Sequence, residues 1–390
     1  MIMKIAYIGK IQLADTDLSY LNAAQIVSDI TYFMEVTPRY LKGPAFNISK
    51  IYPHCGLFKA VEIYPEFAKY SNFIDINKFY VLNTCGKLWQ LKAIWTNLMF
   101  LLYLIKNKFS VIHLTWPANI YELFIYILGR KTILTVHDPF PHSGLDTKIV
   151  RLRRKLAFKY CKYFILLNKA QKAEFIKYYN IDPNRVIISH LSCCNFLKVS
   201  NKDCIQTEDK RYILFSGKIS QYKGLNYLLP AMVKVHEKIP NVTLIIAGSG
   251  KFNFDISPYK DLPYISIINR YITDEELVSL IKGSQFIVCP YTDATQSGVI
   301  MSAYAFDTPV IATNVGGLPE MLANGALGLI IKERSVDALF QGICSLLLDD
   351  KKLEEYRKNI HDRYTSNGIL SWTTIATEIK KAYEKISNCS

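Results

Sequence analysis

The sequence predicts an α/β protein built from two doubly wound domains in tandem. Short strands of continuous apolar residues alternate with segments of helical spacing, which is typical of a parallel sheet covered on both faces. The alternation stops in a polar stretch at residues 195–210 and then restarts. A length of 390 residues is also too long for one ordinary core. It favours two domains of roughly 200 residues each.

The first domain is expected at residues 1–194. A strand at Met3–Ile8 and a helix at Leu18–Met34 open it, and residues 38–75 contain scattered prolines that prevent a clear assignment. The strands predicted after that are Phe79–Leu82, Val111–Leu114, Thr132–Val136, Tyr163–Leu167 and Arg185–Ile188. The helices predicted between them are Leu88–Ile105, Ile120–Leu128, Thr147–Tyr160 and Ala170–Tyr179.

The second domain is expected at residues 211–370, after the linker at 195–210. A last helix, Ser371–Ile386, lies in residues 371–390. The predicted strands are Tyr212–Phe215, Thr243–Ala247, Ile265–Ile268, Phe286–Cys289, Pro309–Thr313 and Leu327–Ile331. The predicted helices are Leu225–Lys238, Asp274–Lys282, Ser335–Leu348 and Lys352–Tyr364, with one more between Phe286–Cys289 and Pro309–Thr313. Ligands of such sheets bind at the carboxyl ends of the strands, so a site between the two domains is expected.

The net charge of +14 is unevenly placed. Residues 1–200 contain 26 Lys and Arg against 12 Asp and Glu, whereas residues 201–390 contain 21 of each kind. An anionic partner of the first domain is therefore expected. An anionic membrane surface fits better than nucleic acid, because the cations alternate with Leu, Phe and Tyr.

The segment Thr147–Tyr163 concentrates that charge on a helix whose apolar face contains Ile149, Leu152 and Leu156. A basic amphipathic helix favours docking on a membrane, and the alternative is a sheet-covering helix with a solvated basic face. The cations expected to face the membrane are Arg151, Arg153, Arg154, Lys155 and Lys159.

Nine cysteines, without metal-ligand spacing, predict reduced thiols in a cytoplasmic protein rather than a disulfide framework. The longest apolar run, Leu98–Ile105, is far shorter than the roughly 20 residues that span a bilayer. The expected location is the cytoplasm, peripheral on the inner face of the cell membrane.

Two loops of the second domain are suited to a phosphate. Thr292–Gly298 connects a strand to a helix, where backbone N–H groups and the helix dipole favour an anion. Gly217 ends another strand and is followed by Lys218 and Lys223, whose two charges can neutralise a diphosphate without a metal. The alternative is a pair of solvated surface lysines.

Other patterns narrow the choice. No P-loop motif occurs, and Asn253 replaces the third glycine that a dinucleotide fingerprint needs after Gly248 and Gly250. Asp15-Thr16-Asp17 is expected to cap a helix rather than bind a metal. His137, after a strand of the first domain, either hydrogen-bonds a ligand or is structural.

The second domain contains the motifs ILFSGKISQYKG, NVTLIIAGSG, TDEELVSLIKGSQFIVCPY, AFDTPVIATNVGGLPE and LGLII, over roughly residues 211–332, and the first domain contains VIHLTWP and TILTVHDPFPH. In these motifs and their order the chain resembles the retaining GT-B glycosyltransferases of the family 4 type (glycosyl transferases group 1). The resemblance implies two Rossmann-like domains facing across a cleft, with the last helix crossing back to the first. It also implies sugar transfer from a UDP- or GDP-linked donor without a metal or other cofactor.

The resemblance further assigns roles to residues. Lys218, in the place of a usual Arg, and Lys223 would hold the donor diphosphate, and His137 would lie near the transferred sugar. The remaining donor-binding positions would be Gly217, Arg270, Tyr271, Thr295, Gln296, Ser297, Gly298, Ser302, Gly316 and Gly317. Two glutamates usual in the family are replaced here by Ala294 and Ser302, so the resemblance is to a subgroup with a degenerate motif.

These observations predict a retaining, hexosyl-type glycosyltransferase that acts on a lipid-linked or polysaccharide acceptor. The alternatives are a non-catalytic protein that binds a nucleotide sugar or glycolipid, and a sugar-nucleotide epimerase. No nucleic-acid partner is expected.

Overall fold

The computed structural model describes residues 3–43, 45–85, 90–116, 125, 128, 131–140, 147–167, 169, 171–200, 211–365 and 368–388. The chain forms two compact units. The first comprises Met1–Leu191 and Trp372–Ser390, and the second comprises Ser192–Ser371. No helix within the described ranges is both long and apolar enough to cross a bilayer.

The strands are β1 (Lys4–Lys10), β2 (Asp29–Val36), β3 (Gly56–Lys59), β4 (Phe79–Asn83), β5 (Val111–Leu114), β6 (Thr132–Val136), β7 (Tyr163–Leu166), β8 (Val186–Ile188), β9 (Tyr212–Ser216), β10 (Thr243–Ala247), β11 (Ile265–Ile268), β12 (Ile287–Cys289), β13 (Val310–Thr313) and β14 (Gly328–Ile331). The helices are α1 (Ala14–Val27), α2 (Ala60–Ile63), α3 (Leu91–Lys106), α4 (Lys148–Tyr160), α5 (Lys172–Tyr179), α6 (Leu225–Lys238), α7 (Asp274–Gly283), α8 (Gly298–Tyr304), α9 (Leu318–Met321), α10 (Val336–Leu347), α11 (Asp350–Tyr364) and α12 (Trp372–Asn388).

The first unit is organised around a sheet with the strand order β3-β4-β2-β1-β5-β6-β7-β8. Every neighbouring pair is parallel except β3 and β4, which are antiparallel. The strands β1, β5 and β6 are almost entirely buried, as expected for the centre of a sheet covered on both faces.

The second unit has a wholly parallel sheet in the order β11-β10-β9-β12-β13-β14. Its core joins these strands to the apolar faces of α6, α10 and α11. The predicted fold class, two Rossmann-like doubly wound α/β domains, is confirmed.

The start of the first unit differs from the prediction. The expected helix Leu18–Met34 is wrong in its second half, because α1 ends at Val27 and residues from Asp29 form β2. These residues form a strand because nearly all of Ile30–Val36 is buried between β1 and β4. Helix α1 also begins at Ala14, so Asp15 and Asp17 lie inside its first turn instead of capping it.

The cysteines also differ from the prediction. Cys55 and Cys85 form a disulfide, so the expectation that all nine thiols are reduced is wrong. The antiparallel pairing of β3 and β4 sets Gly56 opposite Asn83 and brings the two cysteine Cα atoms to 5.1 Å, within disulfide range. The free cysteines among the described residues are Cys161, Cys193, Cys194, Cys289 and Cys344, all buried.

Two other expectations have partial or no counterpart in the described residues, whereas the last helix has one. The predicted helix Ile120–Leu128 lies largely outside them. The predicted linker begins with a 3-10 turn at Asn195–Ser200, and its remainder lies outside. The last helix, α12, belongs to the first unit, where it packs against α1.

Candidate functional site

Backbone hydrogen bonds join the loops at the carboxyl ends of β9, β10 and β11. The amide of Gly217 donates to the carbonyl of Ala247 at 3.0 Å, and the amide of Ile219 donates to that of Ser249 at 3.0 Å. Gly250 then exchanges two hydrogen bonds with the side chain of Asn269, at 3.1 and 3.3 Å. The three loops therefore form one connected edge of the second unit.

The loop after β12 is held between its two neighbours by glycines. A Cβ on Gly224 would lie 1.8 Å from the carbonyl oxygen of Pro290, and a Cβ on Gly316 would lie 1.7 Å from that of Ala294. Both glycines also have positive φ, at +70° and +51°. Only glycine permits this combination of contact and backbone angle without strain. The approach brings the lysine loop, the loop before α8 and the Gly316–Gly317 turn together.

Lys223 is the unusual residue of this edge. It is only 8% exposed, and its Nζ lies 3.6 Å from the centroid of the Tyr291 ring and 5.2 Å from that of Tyr222. Burial lowers the pKa of Lys223 from 10.5 to about 8. No carboxylate of the described residues pairs with it, and the aromatic rings offset the lost solvation only in part. A buried cation in this state is suited to receive an anion.

Lys218 lies on the same loop and is exposed. Both lysines therefore lie on the loop that follows β9. The alternative, two solvated surface lysines, is wrong for Lys223 because this side chain packs on Tyr291.

Some polar groups of the loop Thr295–Gly298 already form hydrogen bonds within the protein. The Oγ of Ser297 lies 3.3 Å from the Tyr291 hydroxyl, and its backbone N–H donates to the sulfur of Met321 at 3.3 Å. The Nε2 of Gln296 is buried without a hydrogen-bond partner among the described residues. Gly298 is exposed, and a Cβ on it would meet no atom within 4 Å. The loop thus keeps one buried, unpaired donor at Gln296 and an open position at Gly298.

Ser302 is less available than the sequence indicates. Its hydroxyl donates to the carbonyl of Gly298, one turn earlier in α8, at 2.9 Å. Only the lone pairs of its oxygen remain for a ligand, so Ser302 can accept a hydrogen bond but has no free proton to donate.

Arg270 and Tyr271 follow β11. The Arg270 guanidinium forms a bidentate ion pair with Glu276, at 2.7 and 2.6 Å, and also donates to the carbonyl of Tyr271 at 3.0 Å. Glu276 is fixed in turn by a capping box with Thr273 at the start of α7. Tyr271 is 53% exposed, so its ring offers a flat apolar surface beside this ion-paired loop.

His137 lies in the first unit, directly after β6. Burial lowers its pKa to about 4, so its imidazole is neutral at physiological pH. It lines a small cavity of about 20 Å³ together with Tyr7, His113, Ser189 and Trp372.

Beside this cavity is a buried polar network that sequence reasoning missed. His113 is 1% exposed, and its Nδ1 and Nε2 lie 2.6 Å from the Tyr383 hydroxyl and 2.7 Å from the Thr135 hydroxyl. Tyr383 is on α12 and its hydroxyl also lies 2.9 Å from that of Tyr20. The last helix is therefore joined to the sheet of the first unit by buried hydrogen bonds.

A second part of the network surrounds Asp17. Its two carboxyl oxygens accept hydrogen bonds from the hydroxyls of Tyr7 and Tyr32, at 3.1 and 3.2 Å. Burial raises the pKa of Asp17 well above its ordinary range. The only sequence signal is polar aromatic side chains inside apolar strands, which does not reveal their partners.

Among the cations expected to face a membrane, the prediction for Arg154 is wrong. It is 7% exposed, and its guanidinium donates to the carbonyls of Asp138 and, at 2.9 Å, Pro139. The period of α4 turns this residue toward the sheet. Arg153 is half-buried, whereas Arg151, Lys155 and Lys159 are exposed.

The lysine loop, the loop before α8 and the Gly316–Gly317 turn all lie in one segment that matches a protein family model. Residues 201–363 match the family model of glycosyl transferases group 1. The match includes the residues of these strand-end loops, from Gly217 to Met321, and ends before α12. His137 lies outside it.

Two curated relatives illustrate the similarity in sequence. An uncharacterized glycosyltransferase of Methanocaldococcus jannaschii is 27% identical over 261 residues, covering 61% of this chain and 64% of that protein. A D-inositol 3-phosphate glycosyltransferase of Corynebacterium aurimucosum is 24% identical over 238 residues, covering 56% of each chain. The chain thus matches less than two thirds of the length of these relatives.

Solved structures share the fold. Anabaena HepE in complex with UDP-glucose has a TM-score of 0.69 at 14% identity, covering 98% of this chain and all of that one. Sucrose-phosphate synthase from Thermosynechococcus elongatus has a TM-score of 0.66 at 15% identity, with full coverage of both chains. UDP-GlcNAc 2-epimerase from Neisseria meningitidis has a lower TM-score of 0.57 at 13% identity, covering 98% of this chain and 100% of that one. At these identities the likeness shows the fold alone.

Proposed function

We propose that this protein is a retaining, metal-independent glycosyltransferase that moves a hexosyl-type sugar from a nucleotide-sugar donor to a lipid-linked or polysaccharide acceptor. The observation that carries the proposal is Lys223, a desolvated lysine that has no carboxylate partner among the described residues, in the segment that matches glycosyl transferases group 1. Lys218 supplies a second cation on the same loop.

The chemistry follows from where charge develops. When the bond between the sugar and the diphosphate breaks, negative charge appears on the leaving phosphate. A cation held in a low-dielectric, preorganised site stabilises such charge far better than a solvated one. Lys223 therefore has the larger share, and exposed Lys218 adds a weaker, solvent-screened contribution. The acceptor hydroxyl loses its proton to the donor phosphate, so no side chain is assigned as general base.

The other residues act by position. Gly217, Gly316 and Gly317 keep the loops open to the diphosphate, and Thr295, Gln296 and Gly298 face the same ligand. Ser297 acts indirectly, by holding the Tyr291 ring under Lys223. Arg270 and Tyr271 form the expected base site, with Tyr271 offering its exposed ring. Neutral His137 would hydrogen-bond the transferred sugar.

The donor class draws on a structural neighbour. HepE was solved in complex with UDP and with UDP-glucose. We propose that the donor of this chain is likewise a nucleoside diphosphate sugar, linked to uridine or guanosine. The basic first unit supports an acceptor at an anionic membrane surface. A peripheral location on the cytoplasmic face of the membrane is part of this proposal.

The test combines titration calorimetry with UDP, GDP and ADP and transfer of radiolabelled nucleotide sugars into a membrane extract. Lys223→Met should lose both nucleotide binding and transfer. The matched control is Lys234→Met, which removes an exposed lysine of α6 that pairs with Asp337 at 2.7 Å. Absence of nucleotide binding, or transfer that survives Lys223→Met, would contradict the proposal.

A non-catalytic nucleotide-sugar or glycolipid-binding protein is the second candidate. Ala294 and Ser302 provide no carboxylate, and the Ser302 proton is held by Gly298. Nucleotide binding without turnover across a donor panel would favour this candidate. Epimerisation, raised by the shared fold of UDP-GlcNAc 2-epimerases, would be seen by NMR of the donor without an acceptor.

A further inference from the structure

Exposed apolar side chains concentrate on three helices of the first unit. Among the described residues, 15 large hydrophobic side chains are exposed, and nine of them lie on α3, α4 and α5. On soluble monomeric proteins, exposed apolar side chains are usually scattered one by one, and a cluster of them marks an interaction site. The nine are Leu91, Trp95, Met99, Leu102, Ile105, Ile149, Leu152, Tyr160 and Tyr178.

Helix α3 contributes most of them as one stripe. Leu91, Trp95, Leu102 and Ile105 are 84%, 61%, 48% and 50% exposed, and their spacing of 4, 7 and 3 residues places them along one side of the helix. The opposite side, with Phe100 and Leu104, is buried in the core. A helix that is apolar on both sides is usually enclosed, but the outer side of α3 is open to solvent.

Helices α3 and α4 cover the same face of the sheet. Phe100 and Leu104 of α3 share one core cluster with Ala157 and Phe158 of α4. Helix α3 connects β4 to β5, and helix α4 connects β6 to β7. Both connections run toward the β8 edge of the sheet. Right-handed crossovers in the same direction place their helices on the same face. The outer sides of both helices therefore point away from the sheet together.

The charges on α3 and α4 have one sign, whereas α5 carries one exposed carboxylate, Glu174. Helix α3 contains Lys92 and Lys106 and no carboxylate, and α4 contains six cations and no carboxylate. The exposed cations on these helices and just beyond them are Lys92, Lys106, Lys108, Lys148, Arg151, Lys155, Lys159 and Lys162. Cations that surround an apolar stripe complement a surface with anionic head groups above hydrocarbon.

We propose that α3 lies in the interfacial plane of an anionic membrane and inserts Leu91, Trp95, Leu102 and Ile105, while the exposed cations of α4 contact the head groups. This assigns the apolar anchor to α3, whereas the sequence indicated α4 alone. It deepens the proposed function by naming the surface that meets the acceptor's membrane, and its test does not depend on catalysis.

The test uses the full chain and sedimentation with vesicles of phosphatidylcholine, with or without phosphatidylglycerol. The triple variant Trp95→Ser, Leu102→Ser, Ile105→Ser should weaken partition into the anionic vesicles by about tenfold or more. The matched control is Ile26→Ser, Leu348→Ser, Ile369→Ser, which removes three exposed apolar side chains outside this face and should bind as the wild type does. Circular dichroism and melting curves identify any variant that fails to fold, in which case the single variants replace it.

Insertion is measured separately by lipids brominated in the acyl chain. They should quench the emission of the wild type, and Trp95→Phe should remove most of the quenching while retaining binding. Unchanged partition of the stripe variant, equal binding to neutral vesicles, or absence of quenching would overturn the proposal. So would concentration-dependent dimerisation that needs the stripe and is accompanied by no vesicle binding, because a second copy would then be the occupant.

Titration with UDP, GDP and ADP in the absence of vesicles separates the two proposals. The stripe variant and the control should bind UDP equally. If the wild type binds vesicles but no nucleotide, the proposed function fails and the membrane surface stands. If it binds nucleotide but no vesicles, the membrane surface fails alone.

Discussion

The ammonium group of Lys223 lies 3.6 Å from the centre of the Tyr291 ring, buried at the carboxyl edge of the second sheet. Tyr291 is itself fully buried, and its hydroxyl lies 3.3 Å from the Oγ of Ser297 in the loop before α8. One aromatic ring thus connects the lysine loop with the loop Thr295–Gly298. A buried cation that has no counter-ion among the described residues lowers the stability of the unliganded protein and favours the binding of an anion.

Lys223→Met should accordingly make the protein more stable and less able to bind nucleotide. The lowering of the Lys223 pKa from 10.5 to about 8 corresponds to at most about 3 kcal/mol of unfolding free energy at neutral pH. Urea unfolding measures the gain, and calorimetry with UDP measures the loss. Lys218→Met, at an exposed position of the same loop, should weaken UDP binding and leave stability unchanged. Equal stability of both variants would show that Lys223 is not held desolvated.

The same lysine predicts a pH dependence. Between about pH 8 and 10.5 the unfolded chain keeps the Lys223 proton that the folded chain has lost. The unfolded state then binds more protons, so stability rises with pH in this window. Affinity for UDP should fall over the same range, because the neutral amine no longer attracts the diphosphate. Urea midpoints at pH 7.5 and 9.5 are the check, and Lys223→Met should flatten the difference.

Gly316→Ala should disrupt the turn that supports the loop before α8. Its Cβ would lie 1.7 Å from the Ala294 carbonyl oxygen at a φ of +51°. We expect a loss of about 2 kcal/mol or more in stability, and weaker UDP binding with it. Gly298→Ala is the control, because open space surrounds that position. It should keep the melting temperature and lower UDP affinity only, as a methyl group at the ligand surface would. A stable Gly316→Ala protein would refute the close approach.

Tyr383→Phe tests how α12 is joined to the first unit. The substitution removes one hydroxyl and leaves Nδ1 of His113 buried without the partner that now lies at 2.6 Å. The expected cost is about 1 to 3 kcal/mol of unfolding free energy. Tyr178→Phe removes a hydroxyl from a residue that is 67% exposed and should cost almost nothing. Equal stability of the two variants would mean that the buried hydrogen bonds contribute little.

Arg154 and Lys155 are neighbours with opposite expected roles. Arg154→Gln should destabilise the protein by about 2 kcal/mol, because the carbonyls of Asp138 and Pro139 lose a charged donor. Lys155→Gln, at an exposed position, should leave the melting temperature unchanged and reduce binding to anionic vesicles at low salt. Thermal unfolding and sedimentation distinguish them, and a reversed pattern would contradict the orientation of α4.

The sequence by itself determined the parts of this protein that depend on local pattern. Continuous apolar runs located β6 and β10, helical spacing located α6, and the loop with Lys218 and Lys223 could be placed at a strand end because strand, glycine and lysines are adjacent in the chain. Contacts between distant residues were decided only by the tertiary structure. The pairing of β3 with β4 joined Cys55 to Cys85, and Tyr383 reached His113 across 270 residues. Residues 30–34 have side chains that suit either a helix or a strand, and only burial between β1 and β4 selected the strand. The same holds for Lys223, since periodicity shows which residues prefer burial but not which cation a fold will bury against a ring.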